Sequence, residues 1–71
     1  MSELVSQHAF YMKKSLDHHN LRDALKYSSG MLLELRTNKL SPKVYFQLFM
    51  TVFEELGYLE NYLVEEHKLG R

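Results

Sequence analysis

The chain of 71 residues contains no cysteine, only one proline and only three glycines. Without cysteine it can form neither a disulfide framework nor a cysteine-based zinc site, which fits a cytosolic protein. No apolar run approaches the roughly 18 residues that indicate a membrane-spanning helix. The N-terminus is interspersed with charged and polar residues and therefore does not resemble a signal peptide. Three scattered glycines also provide no phosphate-binding loop.

An excess of charge of one sign is also missing, because nine Lys and Arg residues balance nine Asp and Glu residues. The distribution is uneven, since residues 1–43 carry seven basic and four acidic side chains, and residues 44–71 carry two and five. A nucleic-acid-binding domain usually shows a strong basic excess on one face. We therefore expect no nucleic-acid partner for the chain as a whole.

Neither a metal site nor a catalytic site is indicated. His18 and His19 are adjacent, so their rings would diverge by about 100° on a helix, and the other two histidines stand alone. Two pairs of adjacent glutamates do not converge either, since neighbouring residues on a helix do not face each other. We therefore expect no enzyme and no cofactor.

What the chain does contain is helical periodicity, because 45% of its residues are hydrophobic and they recur every three or four positions. Three helices are predicted, over residues 3–18, 21–37 and 42–69. The expected buried stripes are Val5, Ala9, Met12 and Leu16 in the first helix; Leu21, Ala24, Leu25, Ser28, Leu32 and Leu35, with Met31 at the edge, in the second; and Tyr45, Leu48, Phe49, Val52, Leu56, Leu59 and Leu63, widened by Phe46 and Phe53, in the third. Helices of unequal length joined by short turns predict a single all-α unit with an antiparallel hairpin arrangement, as in a bundle or an α-solenoid.

The boundaries of these helices have recognisable capping residues. Ser2, Asn20 and Ser41 are predicted N-caps, and the proline after Ser41 suits the first turn, where no N–H donor is needed. Asn38 is a tolerable C-cap for the second helix, and Gly70 is expected to stop the third. The turn sequences therefore agree with the predicted ends of the helices.

Two residues of the second helix depart from its pattern. Gly30 is predicted to lie opposite the buried stripe, where it should cost about 1 kcal/mol relative to alanine. Leu33 shares a side with Arg22 and Lys26, where an apolar side chain gains nothing unless another molecule covers it. Single exposed apolar residues are common, so neither residue assigns a function.

Residues outside the expected stripes are the candidates for partner binding. Tyr58 and Tyr62 are four residues apart and share a side with Glu54, Glu55 and Glu65. A tyrosine pair flanked by carboxylates resembles the aromatic anchors of protein interfaces. The predicted partner-binding residues are Phe10, Lys13, Lys14, Met50, Glu54, Tyr58 and Tyr62. The alternative interpretation is that the aromatic members of this set pack against a further helix.

The residues around the second turn also carry a resemblance. "ELRT" at residues 34–37, "LSPK" at residues 40–43 and Tyr45 resemble the N-terminal region of the vacuolar protein sorting-associated protein 35 family, the α-solenoid subunit of retromer. The similarity continues through Glu55-Leu56, Tyr58-Leu59-Glu60 and Tyr62-Leu63, and upstream through Phe10, Met12-Lys13, Leu16-Asp17 and Asp23-Ala24-Leu25-Lys26. It covers nearly the whole chain.

The resemblance implies a non-catalytic scaffold for endosome-to-Golgi protein transport, cytoplasmic and peripheral on endosomal membranes. It implies three classes of partner: the arrestin-like retromer subunit, sorting nexins and a late-endosomal Rab GTPase. The family's Pro-Arg-Leu-Tyr-Leu motif, which is central to binding the arrestin-like subunit, lies further downstream. We therefore expect a fragment, a short gene product or an N-terminal piece of a longer solenoid. The sequence leaves open whether this piece binds the arrestin-like subunit without that motif.

Two further expectations concern exposed surface. The end unit of a solenoid needs a neighbour to cover one face, so Phe46, Met50 and Phe53 should be partly exposed and the chain should self-associate through its third helix. The alternative function is a self-associating small helical bundle whose basic first half contacts anionic membrane or nucleic acid. Its basic residues are Lys13, Lys14, Arg22, Lys26, Arg36, Lys39 and Lys43.

Overall fold

The computed structural model describes residues 3–37 and 39–68, in which three helices are present and no strand occurs. Helix α1 spans Glu3–Asp17, α2 spans Leu21–Thr37 and α3 spans Pro42–Lys68. Short turns join them, so consecutive helices run antiparallel. The described structure measures 43 × 17 × 14 Å, and its long dimension matches α3 at about 1.5 Å per residue. The predicted all-α hairpin arrangement is confirmed.

Helix α1 ends in a left-handed turn at His19, whose φ angle is 57°. The N–H of Asn20 donates to the carbonyl of Ser15 at 2.8 Å, and the N–H of His19 donates to the carbonyl of Leu16 at 3.0 Å. This pair of hydrogen bonds is the Schellman arrangement, which satisfies carbonyls that a helix end otherwise leaves without donors. Histidine is one of the residues that tolerate this conformation better than most.

The starts of α2 and α3 have the predicted caps. The side-chain oxygen of Asn20 accepts from the N–H of Asp23 at 3.2 Å, and its amide donates to the Asp23 carboxylate at 2.9 Å. The Ser41 hydroxyl accepts from the N–H of Val44 at 3.4 Å, and Pro42 is the first residue of α3. Three other predicted boundary residues lie outside the described part of the chain: Ser2, Asn38 and Gly70.

The core is small and lies mainly between α1 and α2. Its buried side chains are Val5, Ala9, Met12 and Leu16 of α1, Ala24, Ser28, Met31 and Leu35 of α2, and Leu48 and Val52 of α3. The predicted stripe of α1 is therefore confirmed. In α2 the prediction was partly wrong, because Met31 is fully buried while Leu25 and Leu32 are 47% and 45% exposed. The side of α2 that packs against the rest of the structure is centred nearer to Met31 than the spacing predicted, and Leu25 and Leu32 lie at its edge.

Helix α3 buries less of its apolar surface than predicted. Tyr45, Phe46, Phe49 and Phe53 were expected in the core, but all four are exposed, Phe46 and Phe53 by 63% and 65%. The apolar arc of α3 is too wide for the single α1–α2 hairpin to cover, so only one side of the helix contacts the core. The spacing therefore misplaced Phe46 and Phe53, whereas the separate expectation that Phe46, Met50 and Phe53 are partly exposed agrees with the structure.

Gly30 does not lie opposite the buried side of α2, as the spacing predicted. A Cβ atom there would collide with the imidazole of His8, whose Nε2 lies 2.6 Å from the Cβ position. Gly30 therefore faces α1, and the absence of a side chain makes room for the His8 ring.

Candidate partner-binding surface

The face shared by α1 and α3 is organised around Lys13. Its Nζ lies 2.9 Å from Oε2 of Glu55 and 4.3 Å from the centre of the Tyr58 ring. Among the described residues, no donor other than this ammonium reaches the buried Glu55 oxygen. The pKa of Lys13 is raised above its ordinary value, first because the ammonium donates to Glu55; desolvation opposes this rise, and the charges of Glu55 and Tyr58 add to it.

Tyr62 joins the end of α3 to the turn between α1 and α2. Its hydroxyl donates to Oε1 of Glu66 at 2.9 Å and lies 3.2 Å from Nδ1 of His19. The ring is half-buried and packs against the core. Tyr62 thus has a structural role in addition to its predicted partner contact, and the sequence did not indicate the contribution of His19.

Tyr58, Tyr62 and Lys13 are brought together beside an open depression of about 300 Å³. Tyr58 is exposed, and its ring is held by the Lys13 ammonium rather than by the core. Glu54 is exposed on the next part of α3 and lines a neighbouring depression with Tyr58. These four predicted residues therefore share one surface, which we call the α1–α3 surface.

Phe10 and Lys14 lie on the outer side of α1. Nζ of Lys14 is 5.7 Å from the Phe10 ring centre, and Phe10 contacts Tyr11 edge-to-face with ring centres 5.4 Å apart. Both residues are exposed. By helical spacing they extend the α1–α3 surface. Met50, the remaining predicted residue, is exposed on α3 and lies by helical spacing next to Phe46 and Phe53 instead.

An apolar groove between α2 and α3 was missed by the sequence analysis. Leu21 of α2 and Leu63 of α3 line one depression. Leu25 follows Leu21 by four residues and Leu32 follows Leu25 by seven, so the three leucines lie on one side of α2. By helical spacing, Leu56 and Phe49 precede Leu63 at intervals of seven residues along α3, and we therefore define the α2–α3 groove as Leu21, Leu25, Leu32, Phe49, Leu56 and Leu63. Its residues were counted as core because their spacing is the spacing of buried residues.

The described residues contain no cluster of three or more His, Asp or Glu side chains placed to hold a metal ion. Within the same ranges, no helix combines the length and the apolar character needed to cross a membrane.

Comparison with known proteins identifies the family. A family model described as vacuolar protein sorting-associated protein 35 matches residues 1–71. The chain belongs to this family. Vacuolar protein sorting-associated protein 35C of Arabidopsis thaliana is 58% identical to the chain over 66 residues. Vacuolar protein sorting-associated protein 35A of the same plant is 55% identical over 64 residues. Vacuolar protein sorting-associated protein 35 of Dictyostelium discoideum is 54% identical over 56 residues.

These alignments cover most of this chain but little of its relatives in the vacuolar protein sorting-associated protein 35 family. They include 93%, 90% and 79% of the chain, and 8%, 8% and 7% of the three relatives. No solved structure matches the chain. The resemblance of the "ELRT" and "LSPK" segments to this family is thereby confirmed.

Proposed function

We propose that the chain is a non-catalytic helical segment of a retromer scaffold, and that its α2–α3 groove docks the helix that follows it in longer family members. Membership of the vacuolar protein sorting-associated protein 35 family and the large unmatched length of its relatives support a role within a longer chain. The observation that carries the proposal is the groove itself. Four of its six side chains, Leu25, Leu32, Phe49 and Leu63, are 43–47% exposed, while Leu21 and Leu56 are half-buried.

The dimensions of the groove suit one helix. Along α2, Leu21 to Leu32 span about 16 Å, and along α3, Phe49 to Leu63 span about 21 Å, at 1.5 Å per residue. An amphipathic helix of three to four turns would fill that length, with anchors at the i, i+3, i+4 and i+7 spacing of helix-in-groove recognition. Covering a half-exposed Leu or Phe is worth about 1 kcal/mol, so four such side chains are sufficient to favour docking.

The finer elements of the proposal follow from the family resemblance. The scaffold acts in endosome-to-Golgi transport, in the cytoplasm and at the periphery of endosomal membranes. The α1–α3 surface contacts the arrestin-like retromer subunit, with sorting nexins and a late-endosomal Rab GTPase as further partners of the longer chain. Exposed aromatic side chains next to charged residues, here Phe10 with Lys14 and Tyr58 with Lys13, support a protein-binding role for this surface.

Docking can be tested by titrating the chain with a synthetic peptide of the helix that follows this segment in a full-length relative, using calorimetry. Leu32→Glu should weaken binding at least tenfold, because it places a charge on the apolar wall of the groove. Leu33→Glu is the matched control, since Leu33 is the next residue, is 55% exposed and points away from the groove. Equal affinities of the two variants would contradict the assignment of the groove.

A second copy of the chain is the competing occupant. Sedimentation equilibrium measures the self-association of the chain directly. The expected isologous pairing through α3 should be displaced by the peptide. A monomer at high micromolar concentration would refute the expected self-association. A dimer that the peptide cannot displace would show that the second copy, and not the following helix, occupies the groove.

A further inference from the structure

The outer side of α2 carries a basic face that the proposed docking does not use. It consists of Arg22, Lys26, Ser29, Leu33 and Arg36, which are all exposed. These residues lie opposite the buried positions of α2 by helical spacing. From Arg22 to Arg36 the face extends about 21 Å along the helix. Lys39 and Lys43, both exposed near the following turn, extend the positive charge beyond the end of α2.

The basic residues of this face are clustered on one side of α2. The ion pairs found there involve Lys13, His19 and Lys68, and none involves the basic residues of the face. Both acidic residues of α2, Asp23 and Glu34, are half-buried on other sides of the helix. The like charges of Arg22 and Lys26 are four residues apart, a spacing that destabilises a helix. The outer side of an amphipathic helix normally carries charged residues, and on α2 the charged residues of that side are all positive.

Leu33 gives the face a second property. It is 55% exposed and lies among the basic residues, opposite the core. A row of cationic side chains around an exposed leucine suits the surface of an anionic bilayer, where phosphate and carboxylate groups attract Lys and Arg and an apolar side chain enters the interface. Single-stranded nucleic acid is bound with aromatic side chains that stack on bases, and this face has none.

We propose that the basic face of α2 binds an anionic membrane surface. Lys26 and Leu33 lie on a different side of α2 from the groove leucines, so a helix docked in the groove leaves them open, whereas Arg22 and Arg36 adjoin the groove at spacings of three and four residues from Leu25 and Leu32. Three to five basic residues and one leucine make a weak, salt-dependent contact, which suits a protein that other interactions also hold at a membrane. The proposal does not depend on the identity of the helix or of the partner subunit that the chain binds.

The test is co-sedimentation of the chain with vesicles that contain phosphatidylserine and with vesicles of phosphatidylcholine alone, at low and at physiological salt. Each basic residue near an anionic surface contributes about a fivefold change in affinity, so Arg22→Gln with Lys26→Gln should weaken binding about 25-fold. Lys14→Gln with Lys68→Gln removes the same charge from other faces and should have little effect. Leu33→Ser should weaken binding several-fold while leaving its salt dependence unchanged.

The outcomes separate the alternatives, with circular dichroism confirming that each variant is folded. Failure of the unmodified chain to bind phosphatidylserine vesicles at low salt would overturn the proposal. Equal losses in the two double variants would also overturn it, because the attraction would then depend on net charge rather than on this face. Stronger binding to a DNA duplex, with the same dependence on Arg22 and Lys26, would assign the face to nucleic acid instead.

Discussion

Gly30 and Gly57 both lie inside helices, but the space around them differs. A Cβ atom at Gly57 would meet no other atom within 4 Å, whereas at Gly30 it would collide with the imidazole of His8. Alanine stabilises a helix interior by about 1 kcal/mol relative to glycine. Gly57→Ala should therefore raise the free energy of unfolding by about that amount, because nothing opposes the added methyl group.

At Gly30 the same gain is opposed, because the His8 ring has to move. The ring packs edge-on against Tyr27 with centres 6.2 Å apart, and its Nδ1 lies 2.6 Å from the carbonyl oxygen of Leu4. Loss of an aromatic contact costs about 0.5–1.5 kcal/mol, and loss of a hydrogen bond costs about as much. The total of about 1–3 kcal/mol equals or exceeds the gain in helix propensity of about 1 kcal/mol. Gly30→Ala should therefore leave stability unchanged or lower it by up to about 2 kcal/mol.

The coupling free energy between positions 8 and 30 can be measured by a double-mutant cycle, in which urea unfolding of each variant is followed by far-ultraviolet circular dichroism. In a His8→Ala background the obstacle is gone, so Gly30→Ala should then stabilise by about 1 kcal/mol. The coupling energy between the two positions should be at least about 1 kcal/mol, while Gly57→Ala should show no coupling to His8. If Gly30→Ala stabilised the original chain as much as Gly57→Ala does, the packing of His8 over Gly30 would be refuted.

Two further predictions concern the α1–α3 surface. The pKa of Lys13 is raised from 10.5 by Glu55. The stabilisation that the Lys13–Glu55 pair contributes is therefore fully present at a pH below the pKa of Lys13 in the unfolded chain, and it is lost as the pH rises through the raised pKa of the folded chain. Unfolding curves should therefore show the unmodified chain losing its advantage over Lys13→Met and Glu55→Gln above about pH 10.5, and a constant advantage would contradict the pairing. In a full-length relative, alanine at the positions of Phe10, Tyr58 and Tyr62 should weaken capture of the arrestin-like subunit at least about fivefold; unchanged capture would exclude this surface.

Features of the fold that depend on local interactions could be predicted from the sequence. Asn20 and Ser41 cap their helices because their side chains accept hydrogen bonds from N–H groups two or three residues later, whatever the rest of the chain does. The stripe of α1 was also predicted correctly. In helix α1 the residues Val5, Ala9, Met12 and Leu16 recur every three or four positions on one side, whereas its other large apolar residues, Leu4, Phe10 and Tyr11, do not continue that series.

The orientations of α2 and α3 could not be predicted in the same way. Helix α2 has apolar residues over a wide arc, and contact with α1 decides that Met31 is buried and Leu32 is exposed. The contacts of Gly30 with His8 and of Tyr62 with His19 join residues far apart in sequence, so no local pattern indicates them. The predicted partner residues are brought together only in part, because Met50 lies apart from the α1–α3 surface.

In helix α3, the side chains that the spacing predicts to be buried differ from those that are buried in the structure. Its spacing indicates which side chains are suited to burial, and by that measure Phe49 and Phe53 resemble core residues as closely as Leu48 does. The α1–α2 hairpin covers only the side of Leu48, so the aromatic side needs an additional cover. Helix α2 differs, because its outer side carries Arg22 and Lys26, for which exposure to water or anions is favourable. A helix docked in the α2–α3 groove would therefore cover Phe49 of this aromatic side and leave Lys26 and Leu33 on the outer side of α2 free.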